Sequence, residues 1–128
     1  MAFPVELMYT EEHEWVKLAA DGKTALVGIS EFAQSELGDI VFIGLPEVGS
    51  EVTISEAVAE IESVKSVSDI FSPVTGVISQ VNADLEDGPE LINADPYGAW
   101  LFEVSNISAV QENMLTAAEY ETLVKEEG

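Results

Sequence analysis

The chain has 128 residues, with four Lys, no Arg and 25 Asp plus Glu, for a formal net charge of −21 at pH 7. That length suits one domain, and 47% apolar residues are enough for one core but not two. So acidic a surface repels nucleic-acid phosphates and anionic membranes, so neither is expected as a partner. The absence of cysteine excludes disulfides, thiolate metal sites and cysteine nucleophiles.

High negative charge keeps a chain soluble and monomeric, and it can steer basic partners. The simpler reading of the charge is solubility alone. No apolar run approaches the ~20 residues needed to cross a bilayer. The start Met1-Ala2-Phe3-Pro4-Val5-Glu6 lacks a basic region, an apolar region and transit-peptide character. The expectation is a bacterial cytoplasmic protein, or an organelle protein already trimmed.

The elements read mostly as strands. Glu14–Leu18 and Lys23–Ile29 flank Asp21-Gly22, a strong hairpin signal. Ser30 to Leu37 reads as a two-turn helix, capped by Ser30 and closed by Gly38. Asp39 to Leu45 reads as a buried strand ended by Pro46. Residues 57–63 alternate, with Ala57, Ala59 and Ile61 on one face and Glu60 and Glu62 on the other, the pattern of a half-buried strand with an acidic outer edge. Val64-Lys65-Ser66-Val67 interrupts that pattern, and Asp69-Ile70-Phe71 resumes it. Pro73–Gly76 reads as a turn and Val77–Val81 as a strand. Asn82 to Pro96 is polar loop, and Trp100–Val104 is a last strand. Ser108 with Gln111 and Thr116 with Glu119 both fit the capping box, predicting two short C-terminal helices. Many short strands with few helices imply a small sandwich or flattened barrel.

Enzyme motifs are missing. The single histidine, His13, would have to serve any Ser-His-Asp triad, and no G-x-S-x-G elbow accompanies it. No phosphate-binding glycine loop occurs. Asn82-x-Asp84-x-Glu86 resembles the start of a calcium loop, but Asp87 stands where the loop needs glycine and Asn93 where it needs Glu. Lys65 stands apart as the only basic residue between Lys23 and Lys125, between two strand-like runs with Glu60, Glu62 and Asp69 nearby. From position alone it reads as a solvated lysine in an acidic neighbourhood.

The surrounding string changes that reading. Glu62-Ser63-Val64-Lys65-Ser66 with Ser68-Asp69, followed by Ser72-Pro73-Val74-Thr75-Gly76, resembles the lipoylation hairpin of glycine cleavage H proteins. Tyr9 with His13-Glu14-Trp15-Val16 resembles the family's N-terminal signature. Val27-Gly28-Ile29, Gly38-Asp39-Ile40-Val41-Phe42, Leu45–Gly49, Pro89–Asn93 and Pro96-Tyr97 continue the match in family order, from about residue 9 to residue 124.

The resemblance implies a mainly β fold, the barrel-sandwich hybrid of lipoyl domains. It has two antiparallel sheets, one short internal helix and short C-terminal helices. It implies a single domain over 1–128, with a lipoyl-binding core at about 23–105 and a helical segment at about 108–126. Lys65 would carry lipoate covalently, and Glu62, Ser63, Val64, Ser66 and Asp69 would form the attachment hairpin. The function implied is non-catalytic: a lipoyl-lysine arm shuttles the aminomethyl group of glycine from the P protein, a pyridoxal-phosphate glycine decarboxylase, to the T protein, an aminomethyltransferase. The L protein, dihydrolipoyl dehydrogenase, reoxidises the arm, and a lipoate ligase or octanoyltransferase loads it. In such a carrier Glu12, Glu14 and Asp69 would line the cleft that receives the loaded arm's ammonium; otherwise Glu14 and Asp69 are solvated strand-end carboxylates. No metal site is implied, and His13 reads as structural.

Three departures stand out. Ser66 follows the lysine where the family usually has Ala, Ser55 replaces a glycine common in the preceding turn, and Pro96–Trp100 is one residue short. Rival readings are a lipoyl domain of a 2-oxoacid dehydrogenase, a biotin carrier and a small hydrolase or metal-binding enzyme. The first would come with linkers and further domains, and the second would place methionines on both sides of the lysine. An H-like protein relaying lipoyl or octanoyl groups to other complexes is the closest alternative.

Overall fold

A computed structural model describes residues 3–127. Met1, Ala2 and Gly128, the ends of the expected domain, lie outside the described residues.

The chain forms two antiparallel sheets that face each other without closing into a barrel. Strands β1 (Met8–Tyr9), β2 (Glu14–Leu18), β3 (Ala25–Ile29), β5 (Glu51–Val52), β8 (Val74–Val81) and β9 (Phe102–Val110) make the larger, in the order β1-β2-β3-β9-β8-β5. Strands β4 (Ile40–Gly44), β6 (Ala57–Ser63) and β7 (Val67–Phe71) make the smaller, in the order β4-β6-β7. Between them lies one apolar core that includes Val27, Ile29, Ile43, Ile61, Ile78 and Phe102.

Local signals explain most elements. Asp21 Oδ1 accepts the Lys23 N–H at 2.9 Å, and Gly22 takes φ +71° between β2 and β3. Ser30 Oγ accepts the Ala33 N–H at 3.1 Å and starts α1 (Glu31–Leu37); Gly38, at φ +78°, ends it. Thr116 and Glu119 exchange reciprocal hydrogen bonds at the start of α4 (Ala117–Glu127).

Five expectations need correction. Ala57, expected on the face of Ala59 and Ile61, is exposed, because an irregularity between Ala57 and Ala59 in the pairing with β7 breaks the alternation there. The Ser108–Gln111 pair caps no helix, because Thr75 and Val74 on β8 pair with Ala109 and Val110 and claim that backbone for β9. One C-terminal helix therefore stands where two were expected. Pro73–Gly76 is not a turn, since β8 already begins at Val74. Gly76 is small for another reason: a Cβ there would lie 2.5 Å from the Ser105 carbonyl oxygen on β9. β4 is buried on one side only, because a bulge between Ile40 and Phe42 turns Val41 and Phe42 outward. Within the polar stretch after Asn82, α2 (Asp84–Asp87) and α3 (Leu91–Ala94) are single turns that drive Leu85 and Ile92 into the core.

A second apolar cluster fastens the chain ends. Tyr9 on β1 stacks on Tyr120 of α4 with ring centroids 4.6 Å apart. Trp15 lies across Gly28, where a Cβ would meet its ring at 2.5 Å, and its Nε1 donates to the Pro96 carbonyl at 3.0 Å.

Candidate functional site: a lysine-bearing hairpin beside an acidic cleft

Val64, Lys65 and Ser66 form the turn between β6 and β7. Ser63 organises it: its Oγ accepts the N–H of Lys65 at 3.2 Å and of Ser66 at 3.1 Å, while its own N–H donates to the Ser66 carbonyl at 2.8 Å. The Val64 N–H donates to the Asp39 carbonyl at 3.0 Å and ties the turn to the start of β4. The turn uses Ser66 through its backbone, so serine serves here as alanine would.

Lys65 is exposed, and its stem lies over the end of α1. A Cβ built on Gly38 would stand 3.2 Å from Lys65 Cε and 3.9 Å from Nζ. Two demands thus converge on glycine at 38, a positive φ and room for the lysine stem. The carbonyl end of a helix also favours a nearby cation.

One helical turn back, between α1 and β7, opens a cleft of about 300 Å³. Ile29, Phe32, Leu37 and Ile70 supply apolar lining, and Glu12, Glu36 and Glu127 supply carboxylates. His13 stands at the edge with φ +74°. Its Nδ1 lies 2.8 Å from Tyr120 Oη, and its Nε2 lies 3.2 Å from Glu127 Oε2. The Tyr120 hydroxyl also shares a 2.6 Å hydrogen bond with Ser30 Oγ. His13 therefore joins α4 to the cleft edge.

The three carboxylates expected at the cleft separate. Glu12 lines it. Glu14 is only 2% exposed and is not a solvated strand end. Its carboxylate accepts Thr10 Oγ1–H at 2.8 Å and the Phe71 N–H at 3.1 Å. Burial pushes its pKa up to about 7, and those two hydrogen bonds only partly offset it. Asp69 is exposed opposite Glu60, whereas its strand neighbours Ser68 and Ile70 line the cleft. By strand alternation Asp69 faces the other side of the sheet. Glu36 and Glu127 were not expected there. The signal for Glu36 was legible, since Phe32, Ala33, Glu36 and Leu37 share one face of α1 at helical spacing. None was present for Glu127, which reaches the cleft only because α4 packs on Tyr9 and His13.

Among the described residues, no cluster of three or more His, Asp or Glu is placed to hold a metal ion. A hairpin that presents one exposed lysine, on a two-sheet scaffold with a cleft alongside, is an arrangement that suits a carrier of a covalently tethered group.

Comparison with known proteins specifies which carrier. The family model described as Glycine cleavage H-protein matches residues 7–127. A glycine cleavage system H protein of Bacillus licheniformis is 50% identical over 129 residues, covering 99% of this chain and all of that one. Its counterpart in Beutenbergia cavernae is 52% identical over 128 residues, again covering 99% of this chain and all of the other. The crystal structure of a glycine cleavage system H protein from Mycobacterium marinum superposes with a TM-score of 0.87 at 42% identity, covering 94% of this chain and 97% of that one. The chain belongs to the glycine cleavage H-protein family. Its members are lipoyl carriers rather than catalysts: they hold lipoate on a lysine and serve the P, T and L proteins of the glycine cleavage system after a lipoylating enzyme has loaded them.

Proposed function

We propose that Lys65 is the lysine that carries lipoate, and that the arm rests in the cleft between α1 and β7. One observation carries this reading: Lys65 is exposed at the tip of a turn braced by Ser63 and Asp39, and its stem lies over Gly38, the residue that follows Leu37 of the cleft lining. A carrier lysine needs exposure more than a shifted pKa, because acylation removes its charge. Tethering raises the effective concentration of the cargo at each partner.

When bound, lipoate supplies a disulfide that is reduced as it takes the aminomethyl group of glycine and is later restored by the L protein. The chain's own residues hold and orient. Phe32, Leu37 and Ile70 offer apolar surface to the methylene chain, and Glu12, Glu36 and Glu127 suit an amine-bearing cargo as its counter-charges. In this reading Glu14 supports β7 from beneath, and Asp69 with Glu60 and Glu62 faces partners. The reading includes a bacterial cytoplasmic location, supported by the bacterial origin of the relatives.

The test is intact mass and peptide mapping after incubation with lipoate, ATP and a lipoate ligase. One lipoyl increment on Lys65, abolished in Lys65→Arg, is expected. An increment on Lys17, Lys23 or Lys125, or none, would return Lys65 to the status of a solvated surface residue. In holo against apo amide spectra, the largest shifts away from the turn are expected at Ala33, Leu37 and Ser68.

A further inference from the structure

Large apolar side chains gather where the fold offers them nothing to bury against. Val41 is 55% exposed, Phe42 50%, Val64 66% and Val67 60%. Cross-strand register sets Phe42 opposite Glu62 and Glu62 opposite Val67, so the two apolar residues flank Glu62 on the outer face of the smaller sheet. The bulge in β4 adds Val41, and the turn adds Val64, whose N–H is pinned to Asp39. Phe42 reaches back beside Gly44, where a Cβ would lie 3.6 Å from its ring. The inner face of the same strands is spent on the core through Ile43 and Ile61. An exposed apolar strip on a rigid scaffold marks an interaction surface. Exposed Asp39, Glu60 and Asp69 border it, in a chain of net charge −21.

We propose that this strip is the docking surface for the enzyme that acylates Lys65, and that the enzyme meets it with a shallow apolar depression rimmed by Lys or Arg. The inference rests on Lys65 being the attachment site. Reach selects this partner over the others. In acylation the amide C–N bond forms at Nζ. The bond from the acyl carbonyl to its leaving group, an adenylate or a carrier thiol, breaks, and the leaving group takes the electron pair. Two protons leave the ammonium nitrogen for base or solvent. The reacting carbon must therefore come within bonding distance of Nζ, only four methylenes from the backbone. The turn itself must sit in the mouth of the enzyme, with Val64 and the strip pressed against its rim. An enzyme that works on the far end of the lengthened arm can reach it without touching the strip. Complementary charge around an apolar centre then sets orientation and encounter rate.

The experiment measures lipoylation of the full chain by a purified bacterial lipoate ligase with lipoate and ATP. It compares the wild type with Phe42→Ser and the double variant Phe42→Ser/Val67→Ser. Thermal melting confirms that these outward-facing changes leave the fold intact. Loss of the apolar contact is expected to lower kcat/KM about tenfold for the single variant and about a hundredfold for the double. The loss should come through KM with kcat unchanged, and added salt should raise KM for the wild type. Unchanged kcat/KM in both variants would overturn the proposal. So would normal lipoylation coupled to lost turnover with the P or T protein, which would give the strip to those partners. Concentration-dependent self-association of the wild type, abolished by Phe42→Ser while lipoylation stays normal, would give the strip to a second copy and overturn it too. If the wild type takes no label on Lys65, the attachment reading fails first and this inference falls with it, a result visible without either variant.

Discussion

The Glu14 carboxylate, on β2, accepts the backbone N–H of Phe71 at 3.1 Å, at the far end of the strand that leaves the Lys65 turn. A buried ionisable group thus braces the hairpin from below. Burial raises its pKa from 4.5 to about 7, so the folded chain binds this proton more tightly than the unfolded chain does. The stabilising contribution is complete below about pH 4.5, declines as pH rises and is gone above about pH 7, amounting to about 3 kcal/mol. Glu14→Gln should retain the Phe71 contact and remove that part of the pH dependence. Urea unfolding at pH 5 and pH 8 checks it: the variant should lose less stability between the two values than the wild type. Equal slopes would show that Glu14 does not titrate in this window.

Ser55 adopts φ +70° in the turn before β6, where an L side chain is strained and glycine is not. Its N–H donates to the Ser72 carbonyl at 2.8 Å, so the turn is held despite the cost. Ser55→Gly is expected to raise the melting temperature by about 3–5 °C, the equivalent of roughly 1 kcal/mol in a chain of this size. A fall in melting temperature would mean that the serine side chain contributes more than the strain costs.

Gly38→Ala should destabilise the chain by about 1–2 kcal/mol through its φ of +78° alone. The added methyl would also crowd Lys65 Cε, which lies 3.2 Å from its position. The displaced stem should be visible as altered side-chain shifts of Lys65 in proton–carbon spectra. A stability loss with unchanged Lys65 shifts would refute the contact between stem and glycine.

Tyr120→Phe removes the hydroxyl shared by His13 Nδ1 and Ser30 Oγ and leaves the stacking with Tyr9 in place. The expected cost is about 1–2 kcal/mol, since His13 Nδ1 and Ser30 Oγ each lose one hydrogen bond, while Ser30 keeps that from the Ala33 N–H. Faster amide exchange should be confined to the start of α1 and to α4. Exchange that speeds up uniformly would instead mean that the network has no local role.

Much of this protein was determined by short stretches of chain acting on themselves. The Asp21-Gly22 turn, the Ser30 cap, the Thr116–Glu119 capping box and the alternation of Ala59, Glu60, Ile61 and Glu62 all depend on residues within a few positions of one another. The same holds for the Lys65 turn, which Ser63 closes with its own neighbours. Tertiary structure alone decided what depends on a partner strand or on depth. β8 turned Ser108 to Val110 into strand against their capping pattern, because Val74 and Thr75 pair with Val110 and Ala109 and the Gln111 N–H goes to the Pro73 carbonyl, which leaves that backbone unavailable for a helix start. A bulge in β4 turned Val41 and Phe42 outward, since one inserted residue resets which face each side chain takes. Glu14 went into the interior and Asp69 to the far side of its strand, while Glu36 and Glu127 came to the cleft. Charge tells which residues can hold an ammonium, but only packing tells which of them face the same space.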